Sequence, residues 1–495
     1  MGKVDYVAGN PPWVNWESLP GDYRDGMKPL WQRYGLFTLS GSAGRLGGGK
    51  KDLSMLFVYT AVDQYLPDAG RLGFVITQSV FKTKGAGDGF RQLSFERDKK
   101  TVFMKPLVVH DLSEMQVFEG ATNRTAVFVC ERRREGFDYP VKYVKWSGPS
   151  RVDQDDDISA VLRKSSREEM RAIPVEKEKP SSPWLTTSKE SVKGIQRVLG
   201  RSSYKAFAGS CTWLNGVYWV QTIEPPSRGR ALIENLFDVG KIRVEQVRAT
   251  IESDLLYLLL RGRGVSRWVA EPSASIILTQ DVNSRTGIPE IVMKRDYPKT
   301  FAYLKRFEGQ LRKRAGFRKY FDSSDPFYSI YNVGPYTLAQ WKVVWRDMGS
   351  GIQVAVLGEK DGKSVCPEHH VMFVPFTTAD EAHYLCALLM SSPVQLLVSG
   401  YTTTTGISTH VLEHVAAPTF EVANPVHKTL ARLSEQCHAA AIKRDGSRLV
   451  SLEKEVDMTA AKLWGITSGE LKSIQEALAG TKDGRSRDID EEDEE

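Results

Sequence analysis

The 495-residue sequence predicts an α/β protein with a doubly wound, Rossmann-like sheet at the N-terminus, a separate α+β domain and C-terminal helices. Three observations predict this organisation. Apolar strand-like runs alternate with helical segments over about the first 135 residues, which is typical of a doubly wound sheet. Residues 195–420 mix short apolar runs with aromatic residues, Gly and Thr. Residues 426–464 return to the apolar spacing of one or two helices.

The elements of the N-terminal sheet can be read in order. Residues 4–8 form an apolar run typical of a strand. Apolar residues at three- and four-residue spacing over 53–66 predict a helix. A glycine-led turn opens a buried strand at 70–77, and further strands are predicted at 101–109 and 124–130.

The chain is longer than one ordinary domain, so two or three domains are expected. A polar stretch that includes Lys-Glu-Lys-Pro-Ser-Ser-Pro predicts a linker. The predicted segments are the first α/β domain (1–144), the linker (145–192), the α+β domain (193–422), a C-terminal helical segment (423–480) and a disordered acidic tail (481–495).

Composition and charge limit the function classes. No run reaches the length of a membrane span, and no basic-then-apolar signal pattern opens the chain. The five cysteines are scattered singly, which argues against a disulfide framework or zinc ribbon and fits a reducing cytoplasm. Seven of the 61 acidic residues lie in the last eight positions, so the first 487 residues carry a net charge of +13. A basic body of this kind suits a polyanionic partner.

The most informative motif is Asn10-Pro11-Pro12-Trp13, which directly follows the first predicted strand. An exocyclic amine on a heteroaromatic base is a poor nucleophile, because its lone pair is delocalised into the ring. Two hydrogen-bond acceptors that hold both N–H groups draw the nitrogen toward sp³ geometry, and an Asn side-chain oxygen with a proline carbonyl can form such a pair. The prolines keep the loop stiff, and the aromatic ring offers a stacking face.

Four segments in this order resemble the γ-class DNA adenine-N6 methyltransferases of the Eco57I/type IIG kind. They are the NPPW loop and residues 51–57, 70–77 and 117–128, which are similar to motifs IV, V, VI and VIII. The resemblance implies that Asn10 and the Pro11 carbonyl hold the amine while Trp13 and Phe118 clamp a flipped adenine. It also assigns Lys51 and Asp52 to substrate binding. The implied methyl donor is S-adenosyl-L-methionine, with no metal.

In this family the glycine-rich cofactor loop and the acidic ribose-binding strand precede the NPP-aromatic loop, and nine residues cannot hold them. The sequence therefore predicts an incomplete methyltransferase sheet and a second polypeptide that carries the S-adenosyl-L-methionine-binding half, unless the chain is truncated. The glycine-lysine run at 44–50 resembles half of a P-loop, but Lys51 stands where Ser or Thr is required. We interpret it as a basic loop near the DNA backbone, and the His-containing run at 366–370 as a loop rather than a metal site.

The second domain resembles target-recognition regions of such enzymes, most clearly at 204–209, 215–218 and 259–268. Residues 298–320 predict a basic, aromatic-interleaved helix that contacts DNA phosphates; an ordinary solvated helix face is the alternative. The predicted contact residues are Lys305, Arg306, Arg312, Lys313, Arg314, Arg318 and Lys319.

Together these features predict a site-specific DNA adenine-N6 methyltransferase of a restriction-modification or phage-defence system. Its partner is double-stranded DNA rather than a membrane, and its location is the cytoplasm of a prokaryotic cell or a phage or mobile element. One alternative is a catalytically inactive DNA-binding specificity subunit or truncated remnant. Another is methyl transfer to RNA or to a protein glutamine, against which the large second domain argues.

Overall fold

A computed structural model describes residues 2–37, 51–83, 87–115, 117–118, 124–148, 156–349, 351–401 and 406–483. The chain folds into two compact units. The first comprises 1–199 with 396–403 and 472–477, and the second comprises 200–395, 404–471 and 478–495.

The first unit is built on one mixed sheet. Its strand order is β1-β2-β5-β4-β6-β7-β8, and β3 pairs with β4. The β1–β2 and β4–β6 pairs are parallel, and the remaining pairs are antiparallel. The strands are β1 (Tyr6–Gly9), β2 (Arg71–Thr77), β3 (Ser94–Arg97), β4 (Lys100–Asp111), β5 (Thr125–Arg133), β6 (Val141–Ser147), β7 (Ser166–Pro174) and β8 (Trp184–Thr187).

Helices and a continuous apolar core accompany this sheet. The helices are α1 (Gly21–Arg33), α2 (Leu53–Tyr65), α3 (Ser79–Lys82), α4 (Ile158–Lys164) and α5 (Val192–Val198). Nine of the 13 residues of α2 are buried, because the helix is apolar on most of its surface. The core includes fully buried Trp31, Tyr59, Phe81 and Trp184.

The structure confirms the mixed α/β character and adds three details of the first unit. The sheet is mixed, because β5 pairs antiparallel with both β2 and β4, beside the parallel pairs β1–β2 and β4–β6. Residues predicted as a linker instead form α4, β7 and β8, and the last two strands extend the sheet. The linker prediction was wrong because the first half of β7 is exposed and charged. The sequence pattern of the strand is therefore polar, although its second half is mostly buried. Helix α1 was not predicted, since it is polar and contains Pro29.

The described residues of the second unit form one mixed sheet, in which β13 and β19 are parallel, and further antiparallel pairings. The mixed sheet has the order β12-β11-β10-β16-β13-β19 and another sheet the order β18-β17-β20-β9, and β14 pairs with β15. The strands are β9 (Phe207–Ala208), β10 (Trp219–Thr222), β11 (Arg230–Asn235), β12 (Arg248–Glu252), β13 (Leu256–Leu260), β14 (Val265–Ser266), β15 (Val269–Ala270), β16 (Ala274–Ile277), β17 (Trp341–Arg346), β18 (Val354–Leu357), β19 (Cys366–Pro367) and β20 (Val371–Phe376).

Helices alternate with these strands and close the chain. They are α6 (Asn215–Tyr218), α7 (Glu290–Asp296), α8 (Pro298–Lys305), α9 (Glu308–Lys313), α10 (Ala315–Tyr320), α11 (Ala379–Met390), α12 (Ser392–Tyr401), α13 (Pro425–Ile442), α14 (Gly446–Leu463) and α15 (Ser468–Asp483). No single helix of the described residues is long and apolar enough to cross a membrane. The pair α11 and α12, bent by 60°, reaches that length and composition together.

Some sequence predictions fall outside the described residues. They are the P-loop-like run at 44–50, residues 119–123 of the 117–128 segment, and the acidic tail from residue 484 onward.

Candidate functional site

The NPPW loop lies at the carboxyl end of β1 and is held there by backbone pairing. Gly9 allows the chain to pass the ring of Phe74, since a Cβ at that position would lie 3.2 Å from Cε1 of the ring. Beyond the loop, Asn15 forms an antiparallel bridge with Asp52. The Leu53 amide donates to the Val14 carbonyl at 2.9 Å, and the Trp16 amide donates to the Lys51 carbonyl at 2.7 Å. The loop is therefore fixed between β1 and the start of α2.

The two aromatic residues predicted to clamp a base lie together. The ring centroids of Trp13 and Phe118 are 5.0 Å apart, with the ring planes at 74°. The Trp13 indole N–H donates to the Val75 carbonyl of β2 at 3.1 Å, which orients the ring. Asn10 and Pro12 are exposed, whereas Pro11 is buried. The loop can thus present an amide oxygen beside an aromatic face.

Lys51 and Asp52 adjoin the loop in different roles. Asp52 caps α2, because its Oδ1 accepts from the Ser54 amide at 2.8 Å. Burial raises the pKa of the Asp52 carboxyl, and hydrogen bonds from Ser54 oppose this shift. Lys51 has its Nζ 5.6 Å from the centroid of the Phe37 ring. Asp52 therefore supports the loop through α2, and Lys51 is the charged group that remains at this side of the site.

Helix α1 supplies a neighbouring surface that the sequence reasoning missed. A cavity of about 550 Å³ lies between α1 and the segment that follows the loop. Its lining residues are Trp16, Glu17, Gly21, Arg24, Asp25, Lys28, Gln32, Phe37 and Lys51. The α1 members recur at three- and four-residue steps, a helical face that could have been found in the sequence.

The edge of the sheet beside the loop is exposed. β1 is the terminal strand in the sheet order, and three of its four residues are exposed. Tyr6 is 74% exposed and Phe57 of α2 is 41% exposed. An uncovered strand edge with exposed aromatic side chains is suited to pairing with another segment.

The basic residues of 298–320 occupy three short helices, α8, α9 and α10, rather than one. The side chains of Lys305, Arg306, Arg312, Lys313, Arg318 and Lys319 are exposed. Some of them form surface ion pairs: Lys305 and Arg312 with Glu308, and Arg306 with Glu245. Such pairs contribute little and exchange easily for a phosphate.

Arg314 does not belong to this exposed set. It is 4% exposed, and its guanidinium donates to the carbonyls of Leu311, Thr212, Phe327 and Ser329. Because Arg314 is buried and those bonds occupy four of its N–H donors inside the second unit, the predicted DNA contact at Arg314 is wrong. A charge pattern cannot distinguish a buried arginine from a solvated one.

The described residues contain no cluster of three or more His, Cys, Asp or Glu side chains that could hold a metal ion. In the 366–370 segment, Glu368 is buried and accepts from the backbone amides of Gly262 and His370, both at 2.9 Å. Its carboxylate thereby joins two parts of the second unit.

The first part of the chain matches a known family. The sequence profile of the Eco57I restriction-modification methylase matches residues 1–118. Type II methyltransferase M.NspV of Nostoc sp. is 27% identical over 143 residues, which cover 29% of this chain and 28% of that protein.

A solved structure matches nearly the whole chain. The type IIL restriction-modification enzyme MmeI, solved in complex with DNA, aligns over 97% of this chain and 57% of its own, with a TM-score of 0.55 and 11% identity. At that identity the likeness shows a shared fold, and the chain spans little more than half of MmeI. Residues 1–118 of the chain are therefore similar to the Eco57I restriction-modification methylase family.

Proposed function

We propose that this chain holds and orients adenine for N6 methylation of DNA, with S-adenosyl-L-methionine as methyl donor. The observation that supports the proposal most is the fixed NPPW loop with Trp13 against Phe118. A polar loop with an adjacent aromatic pair provides both groups that an extruded base requires, acceptors for its amine and faces for its ring.

Asn10 and Pro11 act on the amine. The Asn10 side-chain oxygen and the Pro11 carbonyl would each accept one N–H of the adenine amine, so that the nitrogen lone pair points toward the methyl donor. Asn10 is exposed, and its backbone follows β1 directly, so substrate can reach it. Pro12 has no backbone N–H, so the loop offers only hydrogen-bond acceptors at this position.

Trp13 and Phe118 hold the ring of the base. Two aromatic faces that sandwich a base lie about 7 Å apart, since each gap is about 3.5 Å. The observed centroid separation of 5.0 Å and the edge-to-face geometry leave no such space. Entry of the base therefore requires the two rings to separate and become parallel.

The exposed edge of β1 is where we place the cofactor-binding strands. S-adenosyl-L-methionine supplies an electrophilic methyl group when bound. The exposed Tyr6 side chain lies on that strand and offers an apolar surface to a complementary polypeptide. The exposed basic residues of α8, α9 and α10 would contact phosphates of duplex DNA.

The test is a methylation assay with a complementary polypeptide that carries the S-adenosyl-L-methionine-binding half. Asn10→Ala should abolish adenine methylation while duplex binding by the same variant stays within about twofold, because the exposed amide oxygen contacts only the flipped base. Mass analysis of digested nucleosides identifies the methylated base. Methylation by Asn10→Ala at the wild-type rate would refute the proposal.

A further inference from the structure

The cavity beside the NPPW loop contains positive groups that have no hydrogen-bond or ion-pair partner in the described part of the chain. Lys51 is 7% exposed, and its Nζ lies 5.6 Å from the centroid of the Phe37 ring, with no hydrogen bond or ion pair among the described residues. Arg24 is half-buried, and its Nε is buried without a hydrogen-bond partner. Enclosing a cationic side chain without a counter-charge is costly, so a largely buried lysine and an unpartnered guanidinium nitrogen in one cavity favour an anionic ligand.

The acidic residues of the cavity do not neutralise these cations. Glu17 and Asp25 are exposed and form no ion pair with Arg24, Lys28 or Lys51 within the described residues. Lys28 also lines the cavity but is exposed, as Glu17 and Asp25 are. The more buried charged groups of the cavity are therefore Lys51 and Arg24, which are both positive.

Aromatic rings form the other wall. Trp16 and Phe37 both line the cavity, with centroids 5.2 Å apart, and Phe37 packs on buried Trp31 at 5.4 Å. The Nζ of Lys51 lies 5.6 Å from the centroid of the Phe37 ring, so a positive charge lies next to the aromatic surface. This pairing suits a ligand that carries both a planar ring and a negative group.

We propose that the cavity binds one nucleotide unit, with its phosphate on Lys51 and Arg24 and its base or sugar against Trp16 and Phe37. The volume of about 550 Å³ lies within the range typical of small-molecule sites. Trp16 follows Trp13 by three residues, and its amide is bonded to the Lys51 carbonyl, so the cavity is rigidly connected to the NPPW loop. The inference rests on the proposed function, because it supplies a nucleotide contact beyond the flipped base.

The nucleotide can come from two sources, a DNA strand or a free mononucleotide. The full chain would be titrated with a fluorescent DNA duplex, followed by anisotropy, and with AMP, followed by calorimetry. Lys51→Met removes the charge and keeps the stem, Arg24→Gln keeps a polar side chain, and Lys51→Arg restores the charge. Lys189→Met is the matched control, an exposed lysine of the same unit that does not line the cavity.

We expect Lys51→Met and Arg24→Gln each to weaken duplex or AMP binding about tenfold, which a single charged contact to phosphate supports. For duplex DNA, each loss should lower the slope of log affinity against log salt by about one. Lys51→Arg should retain most of the affinity, and Lys189→Met all of it. If the variants lose affinity only for duplex DNA, the site binds a DNA strand. If they lose affinity for AMP, the site binds a free nucleotide. Both outcomes support the proposal.

Unchanged affinity and salt slope for both ligands in Lys51→Met and Arg24→Gln would overturn the proposal. Circular dichroism identifies a variant that fails to fold, in which case the half-buried Arg24→Gln decides alone. The result is separable from the proposed function. If the cavity variants bind both ligands as the wild type does and Asn10→Ala still loses methylation, only the proposed nucleotide site is refuted. If Asn10→Ala methylates DNA, the proposed function is refuted, and the binding result for the cavity is unaffected.

Discussion

Trp13 and Phe118 meet edge to face with their centroids 5.0 Å apart, and the Trp13 indole is tied to the carbonyl of Val75. The bond to β2 restrains Trp13, so opening of the pair is expected to come mainly from Phe118. The rings pack on each other when no base is between them, which shields both from water.

Replacement of either ring should weaken capture of an extruded base. Trp13→Ala and Phe118→Ala should each cost about 1–3 kcal/mol in binding a duplex with a mismatched target adenine, because each removes one stacking face. Trp13→Phe keeps the face and loses the bond to Val75, so its effect should be smaller. Anisotropy titration measures this, and equal affinities for wild type and both alanine variants would contradict the clamp.

The exposed edge of β1 should be the docking edge of the cofactor-binding polypeptide. Tyr6→Lys places a charge at a side chain that is 74% exposed on this strand, and it should reduce association with that polypeptide without altering the fold of the chain. Analytical ultracentrifugation of the mixture gives the association constant. Undiminished association would place the contact elsewhere.

The polypeptide should also be needed for cofactor binding. Calorimetry of S-adenosyl-L-methionine with this chain alone is expected to show no measurable binding, and binding should develop when the polypeptide is added. Micromolar affinity of the chain alone would show that the edge of β1 is not where the pocket is completed.

Local signals in the sequence predicted β1, α2 and β2 within a few residues, because each combines an apolar pattern with a clear turn or cap. The resemblance assigned Trp13 and Phe118 to one site, and their rings lie 5.0 Å apart; their role on a base stays a prediction. The pairing of β7 and β8 with the sheet could not be predicted, since it depends on partners far along the chain. Lys82, for example, donates to Thr186 of β8 at 2.7 Å.

Burial decides the role of charged side chains, and the sequence does not report it. Arg314 and Arg318 lie in the same basic stretch, yet the first is saturated by backbone carbonyls and the second is exposed. Arg24 lies within polar helix α1 and Lys51 just before α2, so their shared cavity emerged only from the fold.

Asp63 should be a main electrostatic support of the first unit. Its buried carboxylate accepts from Tyr34 at 2.9 Å and from Arg97 at 2.6 Å, and it also pairs with Arg33. Asp63→Asn should lower the free energy of unfolding by about 3 kcal/mol, at the lower limit for a broken buried pair because both arginines are partly in solvent. Urea unfolding measures it. Asp98→Asn, whose side chain is 92% exposed, is the control and should change stability by less than about 0.5 kcal/mol.

Arg314, at the N-terminal boundary of α10, and Arg318, within α10, should have different roles. Arg314 should act in stability and Arg318 in DNA contact. Arg314→Gln should lower the melting temperature of the second unit, since four carbonyls lose a charged donor. Arg318→Gln should leave the melting temperature unchanged and lower the salt slope of duplex binding by about one. A normal melting temperature in Arg314→Gln, or a normal salt slope in Arg318→Gln, would contradict the respective assignment.

Two buried histidines of the second unit should make its stability fall in mild acid. Burial lowers the pKa of His383 to about 3 and that of His438 to about 4, so both remain neutral in the folded state where an unfolded histidine would protonate. The folded values lie below the unfolded value of about 6.5. The unfolded state therefore binds more protons as the pH falls below about 6.5, and stability declines until the folded values are reached.

At pH 5 each histidine should lower the free energy of unfolding by about 2 kcal/mol. His383→Gln keeps a polar group near Ser434, which bonds to the histidine at 3.0 Å, and it should lose about 2 kcal/mol less than wild type between pH 7.5 and pH 5 in urea unfolding. An identical pH dependence in wild type and His383→Gln would show that His383 is not held neutral by its burial.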